Sequence, residues 1–216
     1  TTMQGVEVWL LDIEKAIAKK ITPATVNANM GDALNWFKDN NSLLVKMLPE
    51  SRKPLINTSE AVPTGPTITV SDGAKAQNRT YQDLLKNPND EANFEQLALS
   101  ELKKVSIGGM ISNFLPVGMY RSVSFSPDGA FVLISEIKKP FSYLVPYYRF
   151  PYTETIYTSN GSNPQVVNNV PLDEVRPKGF MATRTGKRNM SWRADKPATL
   201  YYVEAQDSGD PEIEVA

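Results

Sequence analysis

A chain without histidine or cysteine has few routes to covalent chemistry, and this sequence contains neither. A Ser-His-Asp or Cys-His nucleophile system needs a nitrogen base near pH 7 and therefore cannot be assembled from these residues alone. The usual zinc ligand sets are excluded with it. No Gly is followed two residues later by Ser, so the G-x-S-x-G nucleophile elbow is absent. The carboxylates, Glu174 and Glu204 among them, show no spacing that marks an acid and base pair. Gly186-Lys187 resembles the end of a phosphate loop, but Met181 stands where that motif requires Gly. No catalytic residue, metal ligand or cofactor is expected.

Arg149 is the candidate for substrate binding. A guanidinium is a planar fork that takes a carboxylate bidentately. Arg149 sits in Lys138–Tyr152, KKPFSYLVPYYRFPY, a Pro- and Tyr-rich stretch. Binding residues gather in such loops. The competing reading is an internal ion pair. Tyr143, Tyr147, Tyr148 and Tyr152 could stack on a peptide, or could pack internally with bonded hydroxyls.

The positioning elements are hairpins. Tyr120 to Ile137 reads as two strands around the turn Ser126-Pro127-Asp128-Gly129. Pro presets φ, Asp bonds nearby backbone, and Gly tolerates positive φ. The unit recurs around Trp36 and Trp192. Trp36, Phe125 and Trp192 align, Asp39, Asp128 and Asp195 follow by three, and Leu44, Leu133 and Leu200 by eight. That register marks a repeat, and among all-β arrays it predicts a propeller. The aromatics are expected to pack, and Arg193 with Asp195 to form a turn-stabilising pair.

In chain order, strands are expected at 6–12 and 16–21, 33–37 and 42–47, 97–105 and 106–115, 153–158 and 165–168, and within 189–204, with another starting at 212–215. A short helix over 13–20 is the alternative to the first hairpin. Leu48 to Asn78 is a long polar loop, of a kind usually functional or disordered. Thr80 to Lys86 and Asp90 to Gln96 predict two short helices. The expected fold is an all-β, incomplete β-propeller in a single domain over 1–216. It comprises a half blade at 5–21 and a blade at 33–115 carrying an insertion with helices at 48–96. A blade at 120–168 and a half blade at 189–216 follow.

The net charge of −1 gives no basic surface for nucleic acid. No run of eighteen apolar residues predicts a membrane span, and no leader pattern follows Thr1.

Arg79-Thr80-Tyr81-Gln82-Asp83-Leu84-Leu85-Lys86, Pro140-Phe141-Ser142-Tyr143-Leu144-Val145-Pro146, Arg149-Phe150-Pro151 and the run Ser191 to Tyr201, SWRADKPATLY, resemble a known family. They are similar to the amino-terminal propeller of the glutamyl endopeptidase-like branch of the prolyl oligopeptidase family of serine peptidases. The likeness covers most of 80–216 and, more loosely, 6–47; within 48–78 little matches. It implies a propeller segment, cut mid-blade at both ends, whose α/β-hydrolase domain is not in this chain. The parent is then expected to hydrolyse peptides after acidic residues, with the propeller screening substrates and lining the active-site cavity. The implied partners are a peptide substrate and that hydrolase domain, and the resemblance favours an exported or periplasmic setting. Exposed blade edges would permit self-association. The alternative is a stand-alone binding or scaffold propeller without enzymatic activity.

Overall fold

The computed structural model describes residues 1–57 and 81–214. These are mostly strand, in four antiparallel sheets. The first pairs β1 (Trp9–Asp12) with β2 (Ile17–Lys20). The second runs β3 (Leu34–Trp36), β4 (Ser42–Met47), β5 (Ser100–Ser106) and β6 (Ile111–Gly118), each strand beside its predecessor. The third repeats this with β7 (Tyr120–Phe125), β8 (Phe131–Ile137), β9 (Tyr152–Thr158) and β10 (Gln165–Val170). The fourth pairs β11 (Arg188–Trp192) with β12 (Leu200–Val203).

The repeated hairpin is present three times, as β3–β4, β7–β8 and β11–β12. Trp36 lies opposite Leu43, Phe125 opposite Val132 and Trp192 opposite Leu200. The turn acids do the work their type suggests. Asp39 accepts from the Asn41 and Ser42 amides at 2.8 and 2.9 Å. Asp128 accepts from the Ser126 hydroxyl and the Ala130 amide. Asp195 receives the Arg193 guanidinium through two bonds, Nε–Oδ1 at 2.9 Å and Nη2–Oδ2 at 2.6 Å.

β4 is buried along its whole length, because both of its faces are covered. Leu43, Val45 and Met47 meet Val8, Ile21 and Val26 of the first hairpin and its exit. Leu44 on the opposite face joins Leu102, Val123, Val132 and Ile134, which fills the space between the two four-stranded sheets. Each such aliphatic side chain contributes on the order of 1.5–3 kcal/mol by leaving water.

Several expectations are corrected. Where two helices were expected, the described residues hold one α-helix, α1 (Pro88–Ala98), and a single 3-10 turn at Tyr147–Arg149. The cap of α1 is Asn87, whose side chain accepts from the Asp90 amide, with Pro88 fitting the first helical turn where its missing N–H is not needed. Tyr81–Lys86 is not helical; Thr80, where the first helix was expected to begin, and Arg79 lie outside the described residues, as does most of the 48–78 loop. Because α1 continues to Ala98, β5 begins at Ser100 rather than at 97. A turn at 107–110 takes up the start of the expected sixth strand, so β6 begins at Ile111. Glu212–Glu214 form no strand, and Val215 is outside the described residues. Trp36 is 48% exposed and does not pack in the core; its neighbour Phe37, at 4%, is the buried ring, 4.7 Å from Phe125.

Meander connectivity divides the connections between the two ends of the sheets. The turns 13–16, 37–41, 107–110, 126–130, 159–164 and 193–199 fall at one end of the sheets. The long connections 21–33, 138–151, 171–187 and the described parts of 48–99 fall at the other, with the one-residue link Met119 between β6 and β7.

Candidate functional site

Arg149 lies at the long-connection end. Its backbone is set by the 3-10 turn, where the Arg149 amide donates to the Pro146 carbonyl and that of Phe150 to Tyr147. The loop is closed at its base by the Lys138 amide donating to Pro151 O at 2.7 Å. The rings of Phe141 and Phe150 stack with centroids 5.2 Å apart, and Phe94 of α1 meets both edge-on. Around this aromatic centre gather Met30, Met119, Ile137, Val145 and Leu172, so all four long connections contribute to one small core.

Helix α1 holds the loop by one face. Glu91, Phe94 and Glu95, three and four residues apart, project together. Glu91 accepts from the Tyr143 hydroxyl at 2.9 Å, which raises the tyrosine's pKa, and Glu95 pairs with Lys139 at 2.9 Å. The other face holds residues 53–56: Asn93 exchanges two bonds with the Ile56 backbone, and Gln96 accepts from the Lys53 amide.

The guanidinium of Arg149 is 7% exposed and already engaged. Nη2 meets Asp173 Oδ1 at 3.3 Å, Nη1 donates to the Tyr81 hydroxyl, and the Asp173 amide donates to the Arg149 carbonyl at 3.1 Å. Asp173 also takes Arg176, whose Nε reaches both carboxylate oxygens at 2.9 Å. That bonding raises the pKa of Arg176. Two arginines around one carboxylate leave a single positive charge, and Arg176 is the member nearer water. The Arg149 Nε is buried and lacks a partner. An incoming carboxylate would therefore compete with Asp173 for the fork.

Tyr81, Asp173 and Arg176 complete this cluster; Tyr81 stood only within a family-like run, and none of the three was read from the sequence as a site residue. Their distances along the chain, 68 residues to Tyr81 and 24 to Asp173, carry no local signal. Among the tyrosines, Tyr152 accepts from Arg184, while Tyr147 and Tyr148 are about half exposed. Beside Asp173 opens a cavity of about 150 Å³, lined by Leu172, Val175, Thr183, Arg184 and Ser208 among others. Among the described residues no group of acids could hold a metal ion, and no helix is long and apolar enough to cross a membrane.

Comparison with known proteins adds a decisive observation. The chain is 36% identical, over its entire length, to the Oryza sativa subsp. japonica protein named Probable glutamyl endopeptidase, chloroplastic. It is similar throughout to a segment of a glutamyl endopeptidase. The Arabidopsis thaliana protein of the same name is also 36% identical, over 97% of the chain. The chain spans less than a quarter of either relative, 23% and 22% of their lengths. No protein-family model matches it, and no solved structure does. The aligned stretch also takes in 48–78, where little was matched by motif.

Proposed function

We propose that this chain is the non-catalytic, substrate-screening segment of a serine peptidase that cleaves peptides after acidic residues. The observation that carries it is the 36% identity, over 100% and 97% of the chain, to two proteins named probable glutamyl endopeptidases. Support for a propeller comes from the sheet pattern of two, four, four and two strands, each meandering from neighbour to neighbour. On this reading the two four-stranded sheets are whole blades and the two hairpins are halves of others. The Ser, Asp and His of an α/β-hydrolase domain would then lie in the remaining polypeptide. The long-connection end would line the cavity and admit peptides. Arg149 is proposed to act on acidic substrates through the single positive charge of the Arg149–Asp173–Arg176 cluster.

The test uses the full-length protein that contains this chain, with paired reporter peptides bearing Glu or a neutral residue before the scissile bond. Hydrolysis of the Glu peptide is expected, and Arg149→Gln should reduce its turnover more than that of the neutral one. Equal losses would assign Arg149 to structure alone. A full-length protein that cleaves neither peptide but retains peptide binding would favour a binding propeller. The 216-residue chain alone should cleave neither. Its β1 and β12 edges, unpaired on one side among the described residues, are expected to drive self-association that light scattering would detect as mass above the monomer.

A further inference from the structure

Lys46 stands in the middle of the buried strand β4 and is 2% exposed. Its side chain points from the second sheet toward the third, on the same face as Leu44. There the ammonium donates to the Met30 carbonyl at 2.6 Å and, at 3.4 Å, to that of Arg121 in β7. No carboxylate of a described residue forms an ion pair with it, and Asp32 is the acid that acts on it from farther away. The other charges nearby are committed. Lys104, on the same face of β5, lies over the Phe37 ring and pairs with Asp39, while Glu136 of β8 pairs with Lys138. The Arg121 guanidinium lies over the Tyr152 ring and reaches the Tyr148 carbonyl at 3.5 Å.

A full charge held by two neutral carbonyls in a nearly dry site is costly. The main chains around it are close: Gly31, at φ +57°, has room for no Cβ, which would stand 2.4 Å from the Arg121 carbonyl oxygen. Any arrangement that lets the ammonium reach water must separate connection 21–33 from β7.

We propose that Lys46 is a proton-operated latch between these two segments. With Lys46 neutral, the 21–33 connection is locked against β7; with Lys46 charged, the pair opens more readily and the Arg121 contact to Tyr148, next to Arg149, loosens with it. The sign follows from linkage. Burial lowers the Lys46 pKa from 10.5 to about 8 in the closed form. The open form therefore binds more protons across that interval, and closure strengthens as pH rises through it. This inference does not depend on the peptidase reading.

The test is amide hydrogen exchange of the 216-residue chain between pH 7 and 9.5, corrected for the intrinsic rate, with NMR titration of the lysine Cε signals. Lys46 is expected to titrate near 8. Protection at the Asn27 and Lys46 amides, which donate to the Lys46 and Ala33 carbonyls and so tie the 21–33 connection down, should rise at least about tenfold over that range, as a pKa displaced by more than one unit requires. In Lys46→Met the protection should be independent of pH. Titration of Lys46 with the surface lysines near 10.5, or flat protection in the wild type, would overturn the latch. If the Met variant does not fold, the wild-type titration and exchange decide between these outcomes.

Discussion

The two ends of the sheets solve the same problem, how to turn the chain around, by different physics. At the short-turn end, Asp39, Asp128 and Asp195 stabilise their own hairpins through hydrogen bonds to residues at most three positions away, Asp39 adding only an exposed 3.7 Å ion pair to Lys104 of β5. At the long-connection end, Arg149 is held by Tyr81 and Asp173, and Phe94 by Phe141 and Phe150, across large separations in sequence. The first arrangement is exposed and local. The second is buried, and each group depends on partners from other connections. Disturbing one member at the short-turn end should cost little. Disturbing one at the other end should reach several segments.

The largest effect is therefore expected at Asp173. Replacing it with Ala leaves Arg149 buried without its counter-charge and releases Arg176. Loss of one partner of a buried pair costs about 3–5 kcal/mol. Denaturant unfolding of Asp173→Ala should show a loss of that size. Asp173→Asn, which keeps an acceptor but not the charge, should lose less. Equal small losses for both would mean that the long-connection end is no more interdependent than the turns.

Gly129 probes the strictest position at the short-turn end. Its φ is +75°, and a Cβ there would come within 2.3 Å of the Lys38 Cβ from the neighbouring hairpin. Gly129→Ala should cost about 2–3 kcal/mol, combining left-handed backbone strain with the shift of Lys38. Asparagine tolerates the left-handed region better than alanine but brings the same Cβ. Gly129→Asn should therefore relieve the first contribution and not the second, which separates local turn strain from contact between sheets.

These contrasts explain what could be read from the sequence. The three hairpins were legible because Pro, Asp and Gly act within their own turns and because strand faces alternate. The core-facing aromatic of the first hairpin was misassigned by one residue, since Trp36 and Phe37 point to opposite faces and only packing shows which is inward. Asn87-Pro88 was the readable start of α1, but Asp90 offered an equally plausible cap three residues later. Arg149 was found through its chemistry and its loop. Its partners were not, because nothing local to Tyr81 or Asp173 announces an arginine brought there by folding. Lys46 was hidden for a related reason: a lysine in an apolar run usually projects to solvent, and only the covering of both faces of β4 buries it.

A smaller effect is expected where the third and fourth sheets meet. The Trp192 indole N–H donates to the Ser124 carbonyl at 3.1 Å, and the Asp128 amide to Pro197 O at 3.1 Å. Trp192→Phe keeps most of the ring and removes one donor, so the expected loss is about 1 kcal/mol. A loss several times larger would show that this contact belongs with the buried, interdependent end rather than with the turns.

The smallest effects should come from the turn aspartates, and pH reads them together. The Ser42 hydroxyl and the Asn41 amide lower the pKa of Asp39; the Ser126 hydroxyl and the Ala130 amide do so for Asp128, and the Arg193 guanidinium for Asp195. Each carboxyl is held below its unfolded value of about 3.9. Between the folded and unfolded values the unfolded chain binds more protons, so stability rises with pH across that window. The contribution is present above about pH 4 and is lost as pH falls through the folded values. All three acids are exposed, so each share is small and screened by salt. Unfolding curves at pH 7 and pH 3 should show a steeper acid loss in the wild type than in the Asp39→Asn, Asp128→Asn, Asp195→Asn triple variant. The three single variants should sum to the triple within error, because the three acids share no partner. Strong non-additivity would mean that the turns are coupled through the sheets, and the contrast between the two ends would fail at its local side.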